Sequence, residues 1–442
     1  MDTPTCPPPR DAREKEILDK LVSIRDRLQL LKQDRTTYIR SQDVIPLYDE
    51  TIEQVRQLND FRSADRREEN RVDRVLESCF QLLSLFFMTI GRNNEAPAAY
   101  ALTSTIRRLL DHLTEVDLFS SKDLESISHT LKKLAHNVKS TETDYSPYLI
   151  TLLSNRLDLC EKSLARLQKR LDRFEDPLPK TYEKLISILR SMSLANTRTK
   201  SAQFSPSEVQ KLQAQLREIE DKRKEGKLLG LDGKVPAGSD EVAELLQKCL
   251  KWSEIVLERK GVIPEPFKAT YDVLVRIRNE LEKLSITQAW SLREADLFDF
   301  QRQLDKIDES RVNGNWFDDE GKPAELYVQR TLLYLIRRSY AYVYSLMISS
   351  EPVSEALLPI YNQLQTLKRC LIEVKNNGGV QSVRELYPYS MKLHSIDNMR
   401  QDGKFMINND IPEGQGSVSE LLAECFDLNY ELRVAAEEQA EA

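Results

Sequence analysis

The side chains that most often carry out chemistry are few in this chain and far apart. Two of its four histidines, His129 and His136, share a predicted helix, but they lie seven residues apart, whereas helical metal ligands usually lie about four apart. Gly-rich phosphate loops, Gly-x-Ser-x-Gly, His-Glu-x-x-His and EF-hand sequences do not occur. We therefore predict a protein that is not an enzyme, with no catalytic residues, no cofactor and no metal site.

The six cysteines are isolated from one another, which excludes a zinc knuckle or a redox Cys-x-x-Cys pair. Cys160, Cys249 and Cys425 fall in apolar helical stripes, so we predict that they are buried free thiols in equivalent helices of successive units. Free thiols indicate a reducing compartment, and we expect the protein in the cytoplasm.

The clearest recurring motif is Arg-x-x-Gly. It occurs at Arg223 to Gly226, at Arg311 to Gly314 and at Arg400 to Gly403, and the first two copies are 88 residues apart (311 − 223 = 88). One interpretation is structural. Each glycine would take a left-handed conformation just past a helix end, and each arginine would lie in the last turn, where a cation opposes the helix dipole.

A second interpretation gives the same loops a role in binding. Equivalent loops of a repeat array lie along one edge, and such rows often bind a partner protein. The row would present basic and aromatic side chains, namely Lys227, Trp316, Lys322, Lys404 and Phe405. Both interpretations stay open.

The segment from Ala195 to Ser207 is rich in Ser and Thr and lies between two predicted helices. Ser201 and Ser205 are candidate phosphorylation sites, since a phosphate there would lie near the N-terminus of the next helix, where an anion is favoured. The alternative is an unmodified loop in which Ser205 or Ser207 caps that helix.

The elements that position these residues are predicted to be helices. Glycine is scarce, at 13 of 442 residues, and charged residues make up 31%, which is typical of long amphipathic helices. Leu149, Leu153 and Leu157 begin a stripe with steps of four and three, and no strand-like alternation of any length occurs. We predict an all-α fold.

A proline followed closely by tyrosine occurs five times and predicts a helix start, because proline is tolerated in the first helical turn: Pro46/Tyr48, Pro97/Tyr100, Pro179/Tyr182, Pro266/Tyr271 and Pro359/Tyr361. With the loops, these landmarks predict an elongated tandem array of degenerate units of about 88 residues with three helices each. The N-terminal unit is eroded, and we expect a pair of helices there. The predicted boundaries are a Pro-rich tail at 1–10, helical units at 11–96, 97–176, 177–262, 263–352 and 353–436, and an acidic tail at 437–442.

The charges are mixed along the chain. The 64 basic and 71 acidic residues are interspersed and sum to −7, which argues against nucleic acid as a partner. The longest apolar run, Leu82 to Ile90, is about half of the ~20 residues that a membrane-spanning helix needs. We predict no membrane insertion.

The Arg-x-x-Gly loop, the Pro-x-Gly that follows it and a Leu-Leu-x-x-Cys helix resemble a fungal family of helical proteins defined only by a domain of unknown function. The helix motif occurs twice, as Leu245, Leu246, Cys249 and as Leu421, Leu422, Cys425. The copy between them departs from the pattern: Arg337 stands at the Cys position, and Pro323 lacks the following glycine. The resemblance implies a cytoplasmic and also nuclear fungal protein, and it implies no catalytic residues.

These observations favour a non-enzymatic helical scaffold or adaptor that binds partner proteins. The alternative is an enzyme or small-molecule binder whose site is assembled in the core of a helical bundle from residues distant in sequence. A cluster of buried ionisable groups around a cavity would favour this alternative.

Overall fold

The computed structural model describes residues 6–62, 69–116, 118–197, 204–221, 223, 235–288 and 292–441. Within them it contains fifteen α-helices and one two-stranded ladder, of β1 (Arg400–Gln401) and β2 (Lys404–Phe405). The all-α prediction is confirmed.

The helices form five consecutive triplets along the chain. The first three triplets are α1 (Ala12–Gln33), α2 (Ser41–Phe61), α3 (Arg71–Thr89); α4 (Ala99–Val116), α5 (Ser121–Ser140), α6 (Pro147–Leu171); and α7 (Leu178–Asn196), α8 (Pro206–Glu220), α9 (Ser239–Arg259). The last two are α10 (Glu265–Lys283), α11 (Leu297–Glu309), α12 (Leu326–Ile348); and α13 (Leu358–Asn376), α14 (Tyr387–Asp397), α15 (Gln415–Glu441). In every triplet the third helix packs against the first and the second.

The expectation of only two helices in residues 11–96 is wrong. The segment between α1 and α2 is short (residues 34–40), which leaves room for α3. Part of this error in the number of helices comes from Pro46, which predicts a helix start and so places α2 too late in the chain. Pro179, Pro266 and Pro359 occupy the second position of their helices, as predicted, but Pro46 lies inside α2. That helix begins at Ser41, where the Asp43 carboxylate accepts the N–H of Arg40 at 3.1 Å and caps the first turn.

Helix α3 is buried on every side from Ser78 to Thr89. It contacts α1 and α2 of its own triplet and also α4 and α11, and α12 in turn packs against α4 and α7. A helix that is apolar around its circumference needs neighbours on all faces. The apolar run of α3 is therefore the centre of one hydrophobic core, which the first four triplets share.

The last triplet has hydrophobic clusters of its own and joins the rest through the segment before α13. There the N–H of Glu355 donates to the Thr89 carbonyl of α3 at 3.0 Å, while the N–H of Ser354 ties the same segment to its own triplet by donating to the Glu413 carbonyl at 3.1 Å. Gly414, with φ +96°, lies against the same segment, and a Cβ on it would be 2.7 Å from Cα of Val353. This close backbone approach requires a glycine.

Cys160, Cys249 and Cys425 are buried on α6, α9 and α15, each the third helix of its triplet, as predicted. Burial raises the pKa of the Cys249 thiol to about 12 and the pKa of the other two thiols to about 11. Such thiols stay protonated and pack as small apolar groups. Across the described ranges, no helix combines the length and apolar character that a membrane crossing requires.

Candidate functional site

The two described Arg-x-x-Gly segments, at 311–314 and 400–403, are β-hairpin turns and not helix C-caps. Gly314 (φ +79°) and Gly403 (φ +78°) have the predicted left-handed conformation. The residues before them, Asn313 and Asp402, also have positive φ, and each pair closes a two-residue turn of the type I′ kind. The helix-end interpretation predicted the conformation of these two glycines correctly, but it is wrong about their place, because α11 and α14 end several residues earlier. Gly226 lies outside the described residues.

The arginines of the motif lie beyond their helices and pair with an acidic residue three positions earlier. Arg223 pairs with Glu220 at 2.7 Å, Arg311 pairs with Asp308 at 2.6 Å, and Arg400 pairs with Asp397. The predicted place in the last helical turn is therefore wrong. In the two described turns, the arginine instead ties the turn back to the end of the preceding helix.

The two aromatic residues of the predicted binding row are interior residues. Trp316 is 4% exposed and Phe405 is 1% exposed. A glutamine side chain from the next helix holds the backbone of each one: Gln329 Oε1 accepts the backbone N–H of Trp316 at 3.1 Å, and Gln415 Oε1 accepts the backbone N–H of Phe405 at 2.9 Å. Their expected display on the surface is wrong, because the hairpin folds each ring inward.

Two of the three lysines in that row lie among the described residues. Lys322 and Lys404 are exposed, and Lys227 lies outside the described residues. Among the phosphorylation candidates, Ser201 also lies outside them, whereas Ser205 is the half-buried N-cap residue of α8. Its hydroxyl makes no bond to the helix N-terminus and instead lies 3.0 Å from that of Ser207.

A pocket of about 170 Å³ lies where the second, third and fourth triplets meet, and we call it the arginine pocket. Its aromatic wall comes from the segment after α6 and from α7, α9 and α12, and consists of Phe174, Tyr182, Trp252 and Tyr334. Gly238 allows the Phe174 ring to approach closely, since a Cβ there would lie 2.3 Å from that ring. The pocket can hold one or two side chains or a small ligand.

Arg330 and Arg337 line the arginine pocket from α12, two helical turns apart and so on the same face. The Arg330 guanidinium lies 5.5 Å from the centre of the Trp252 ring. Nη1 of Arg337 is shielded from solvent and has no hydrogen-bond partner. Burial lowers the pKa of Arg337 to about 10, and repulsion from Arg190 contributes. The basic side chains therefore face a site that lacks a counterion.

A second cavity, of about 300 Å³, is polar, and we call it the polar cavity. It lies between α3, α4, α6, α11 and α12, and its four basic lining residues form ion pairs with four of its five acidic lining residues. Arg74 pairs with Glu309 at 2.8 Å, Arg108 pairs with Asp305 at 3.4 Å, and Arg156 pairs with Glu77 at 3.7 Å. Its charges are thus balanced, in contrast to those of the arginine pocket.

The inner end of the polar cavity holds an acid and a phenol in contact. Tyr340 Oη donates to Asp305 Oδ1 at 2.7 Å. Burial raises the pKa of Asp305 above its usual range, although Arg108 opposes the rise, and burial raises the pKa of Tyr340 well above its usual value. Perturbed groups that converge on a cavity are typical of ligand and catalytic sites.

Comparisons with known proteins place the chain among fungal relatives. Residues 171–294 and 351–442 match a family model described as a protein of unknown function (DUF2408). A CUB1 family protein of Schizosaccharomyces pombe is 37% identical over 96% of this chain and 94% of its own length. The chain belongs to this fungal CUB1 family. The predicted resemblance to a fungal family defined by a domain of unknown function is confirmed.

A further relative carries a more specific name. The Saccharomyces cerevisiae protein called Cu(2+) suppressing and bleomycin sensitive protein 1 is 36% identical over 97% of this chain and 91% of its own length. Within the described residues of this chain, no group of three or more His, Cys, Asp or Glu side chains is placed to hold a metal ion. No solved structure matches the chain.

Sequence reasoning missed both cavities, because their lining residues lie on helices far apart in the chain. The sequence comparison aligned Arg337 with the repeated cysteine. The two glutamines that bond to the backbone of Trp316 and Phe405 align α12 with α15 differently. Counting ten positions from Gln415 reaches Cys425, and counting ten from Gln329 reaches Ser339, which is 0% exposed. The small buried side chain is thus Ser339, whereas Arg337 faces the arginine pocket. Gln329 lies 13 positions after Trp316, whereas Gln415 lies 10 positions after Phe405, and this difference shifts the register.

Proposed function

We propose that this protein is a non-enzymatic helical adaptor that binds a segment of a partner protein in the arginine pocket. The supporting observation is the aromatic wall, which lies in an open concavity between three triplets and not inside one of them. Clustered aromatic rings beside arginines are the composition of interface hot spots. The surface around them can take a short segment with one apolar anchor side chain.

The binding test uses a displayed library of fungal protein segments and two tryptophan variants. Glu244 lies at the rim of the pocket, so Glu244→Trp should block entry, whereas Glu254→Trp places the same ring on the same helix away from the pocket lining. We expect selected segments to bind the wild type and Glu254→Trp equally and to lose at least about tenfold in affinity for Glu244→Trp. If no segment is selected, or if both variants bind alike, the adaptor proposal fails.

A second candidate function is supported by the polar cavity. The half-buried acid Asp305 and the buried phenol Tyr340 favour an enzyme or small-molecule binder with its site in a bundle core. A thermal-shift screen of small polar metabolites should then find compounds that stabilise the wild type and stabilise Tyr340→Phe less. A screen in which no compound raises the melting temperature would contradict this candidate.

We also propose that the protein occupies the cytoplasm and nucleus and is phosphorylated at Ser205 or Ser201. The free, buried cysteines fit a reducing compartment. Microscopy of a tagged protein and phosphopeptide mapping test these two statements. A secreted protein would contradict the first, and unmodified peptides that cover both serines would contradict the second.

A further inference from the structure

The arginine pocket contains more positive charge than its own acidic residues can neutralise. Its lining contains five basic residues and two acidic ones, Glu241 and Glu244. Both acids are already engaged: Glu244 pairs with Lys248 at 2.8 Å, and Glu241 lies 3.9 Å from Arg170. They leave no carboxylate for the two arginines on α12.

Arg190, at the same wall, is also satisfied. Its guanidinium pairs with Asp123, whose carboxylate accepts the N–H of Ser120 at 2.8 Å as the N-terminal cap of α5. Arg337 lies beside this pair and borders a second pocket, of about 260 Å³, on the α5 side. Arg337 therefore lines two pockets, while its Nη1 is shielded from solvent.

An arginine kept away from water without a partner is costly, because its desolvation is not repaid by an ion pair or a full set of hydrogen bonds. Among the described residues, no carboxylate lies within ion-pair distance of Arg330 or Arg337, and Asp123, which attracts Arg337 from further away, already pairs with Arg190. Arg330 is also desolvated, since burial lowers its pKa, and the Trp252 ring covers one side of it. Guanidinium groups in such surroundings bind oxyanions strongly, through charge-assisted and often bidentate hydrogen bonds.

We propose that the arginine pocket recognises an oxyanion carried next to an aromatic or large apolar group, with Arg337 and Arg330 binding the anion and Trp252 and Tyr334 packing on the apolar part. This inference rests on the proposed adaptor function and defines the chemistry of the partner segment. The anion is a carboxylate of Asp or Glu or a phosphate on a modified side chain. Both present oxygen acceptors in the geometry that a guanidinium fork matches.

The test measures small probes and segments on matched variants. Phenyl phosphate, 3-phenylpropionate and the neutral phenol are titrated into the full chain, with inorganic phosphate as the anion alone. The key variant is Arg337→Met, which keeps the side-chain length and removes the charge. Arg276→Met is the control, because Arg276 is exposed on α10, lines neither of the two pockets beside Arg337 and carries the same charge.

We expect an aromatic anion to bind the wild type and Arg276→Met alike and to bind Arg337→Met at least about thirtyfold more weakly, while phenol does not distinguish the variants. A preference for phenyl phosphate over 3-phenylpropionate assigns the anion as phosphate, and the reverse assigns it as carboxylate. Arg337→Met should also raise the melting temperature of the ligand-free protein, since it removes an unpaired desolvated charge.

Two outcomes overturn the inference. One is unchanged binding of the aromatic anion to Arg337→Met. The other is a lower melting temperature of that variant, which would make Arg337 an ordinary structural residue. The proposed function fails separately: anion binding at Arg337 without any selected protein segment would leave the anion site and remove the adaptor, whereas segments that bind without regard to their charge would leave the adaptor and remove the anion site.

Discussion

At the scale of single residues, Glu294 is a buried carboxyl group at the start of α11. The Ser350 hydroxyl donates to its Oε1 at 2.6 Å, and burial, with repulsion from the Glu355 carboxylate, raises its pKa to about 7. The Arg293 guanidinium does not offset this effect, because it pairs with Glu355. The native protein therefore holds the proton of Glu294 more tightly than the unfolded chain does.

The stability that this proton contributes is complete below pH 4.5, the ordinary pKa of the group, and is lost as the pH rises to about 7. We expect Glu294→Gln to remove on the order of 3 kcal/mol of this pH-dependent change in the free energy of unfolding. Urea unfolding between pH 4 and about 8 measures the slope. Glu437→Gln, at an exposed position of α15, should keep the wild-type slope. An identical slope in Glu294→Gln would show that the carboxyl titrates normally.

At the scale of elements, a glycine before the third helix lets that helix approach the chain that enters its triplet. Gly238 does so against Phe174, and Gly414 does so against Val353 and the Pro352 carbonyl. Both glycines have positive φ. The contact at Gly414 is with backbone atoms, which cannot rotate away as a side chain can.

We expect Gly414→Ala to lower the free energy of unfolding by more than about 1 kcal/mol, because it adds both a clash and an unfavourable φ. Gly416→Ala is the matched control. Gly416 lies two residues further on, in the first turn of α15, has no positive φ and has open space at its Cβ position. Its substitution should leave stability unchanged or raise it by up to about 1 kcal/mol. Equal stabilities of the two variants in chemical denaturation would contradict the packing role of Gly414.

At the scale of the whole molecule, one buried ion pair joins three separate parts of the chain. Glu355, before α13, accepts from Arg293 Nε at 2.6 Å and from the N–H of Ile39 at 2.5 Å. Arg293 also donates to the Asp34 carbonyl at 2.7 Å. The pair therefore connects the last triplet to the loop between α1 and α2 and to the start of α11.

Glu355→Gln should cost about 3–5 kcal/mol, because it leaves Arg293 buried without a counterion. Glu437→Gln breaks the exposed pair with Arg433 and should cost less than about 1 kcal/mol. Denaturant unfolding gives both values, and limited proteolysis should show earlier cleavage of the last triplet in Glu355→Gln. A small cost, similar to that of the exposed pair, would mean that the junction does not depend on this contact.

The features that follow from local chemistry could be predicted from the sequence. Apolar stripes predicted the helices and the burial of Cys160, Cys249 and Cys425, because a helix with one apolar face must cover it. Positive φ was predicted at Gly314 and Gly403, yet their context was not. Asn-Gly and Asp-Gly are hairpin signals, but the surrounding helical pattern favoured a helix end.

Only the tertiary structure decided which residues meet. Trp316 is buried because Gln329, thirteen residues away, holds its backbone, and the arginine pocket combines residues from Phe174 to Arg337. Spacing within one helix shows which side chains share a face, but it carries no information about which helix covers that face. The missing counterion of Arg337 is such a property, since it depends on every element packed around α12 and on none of them alone.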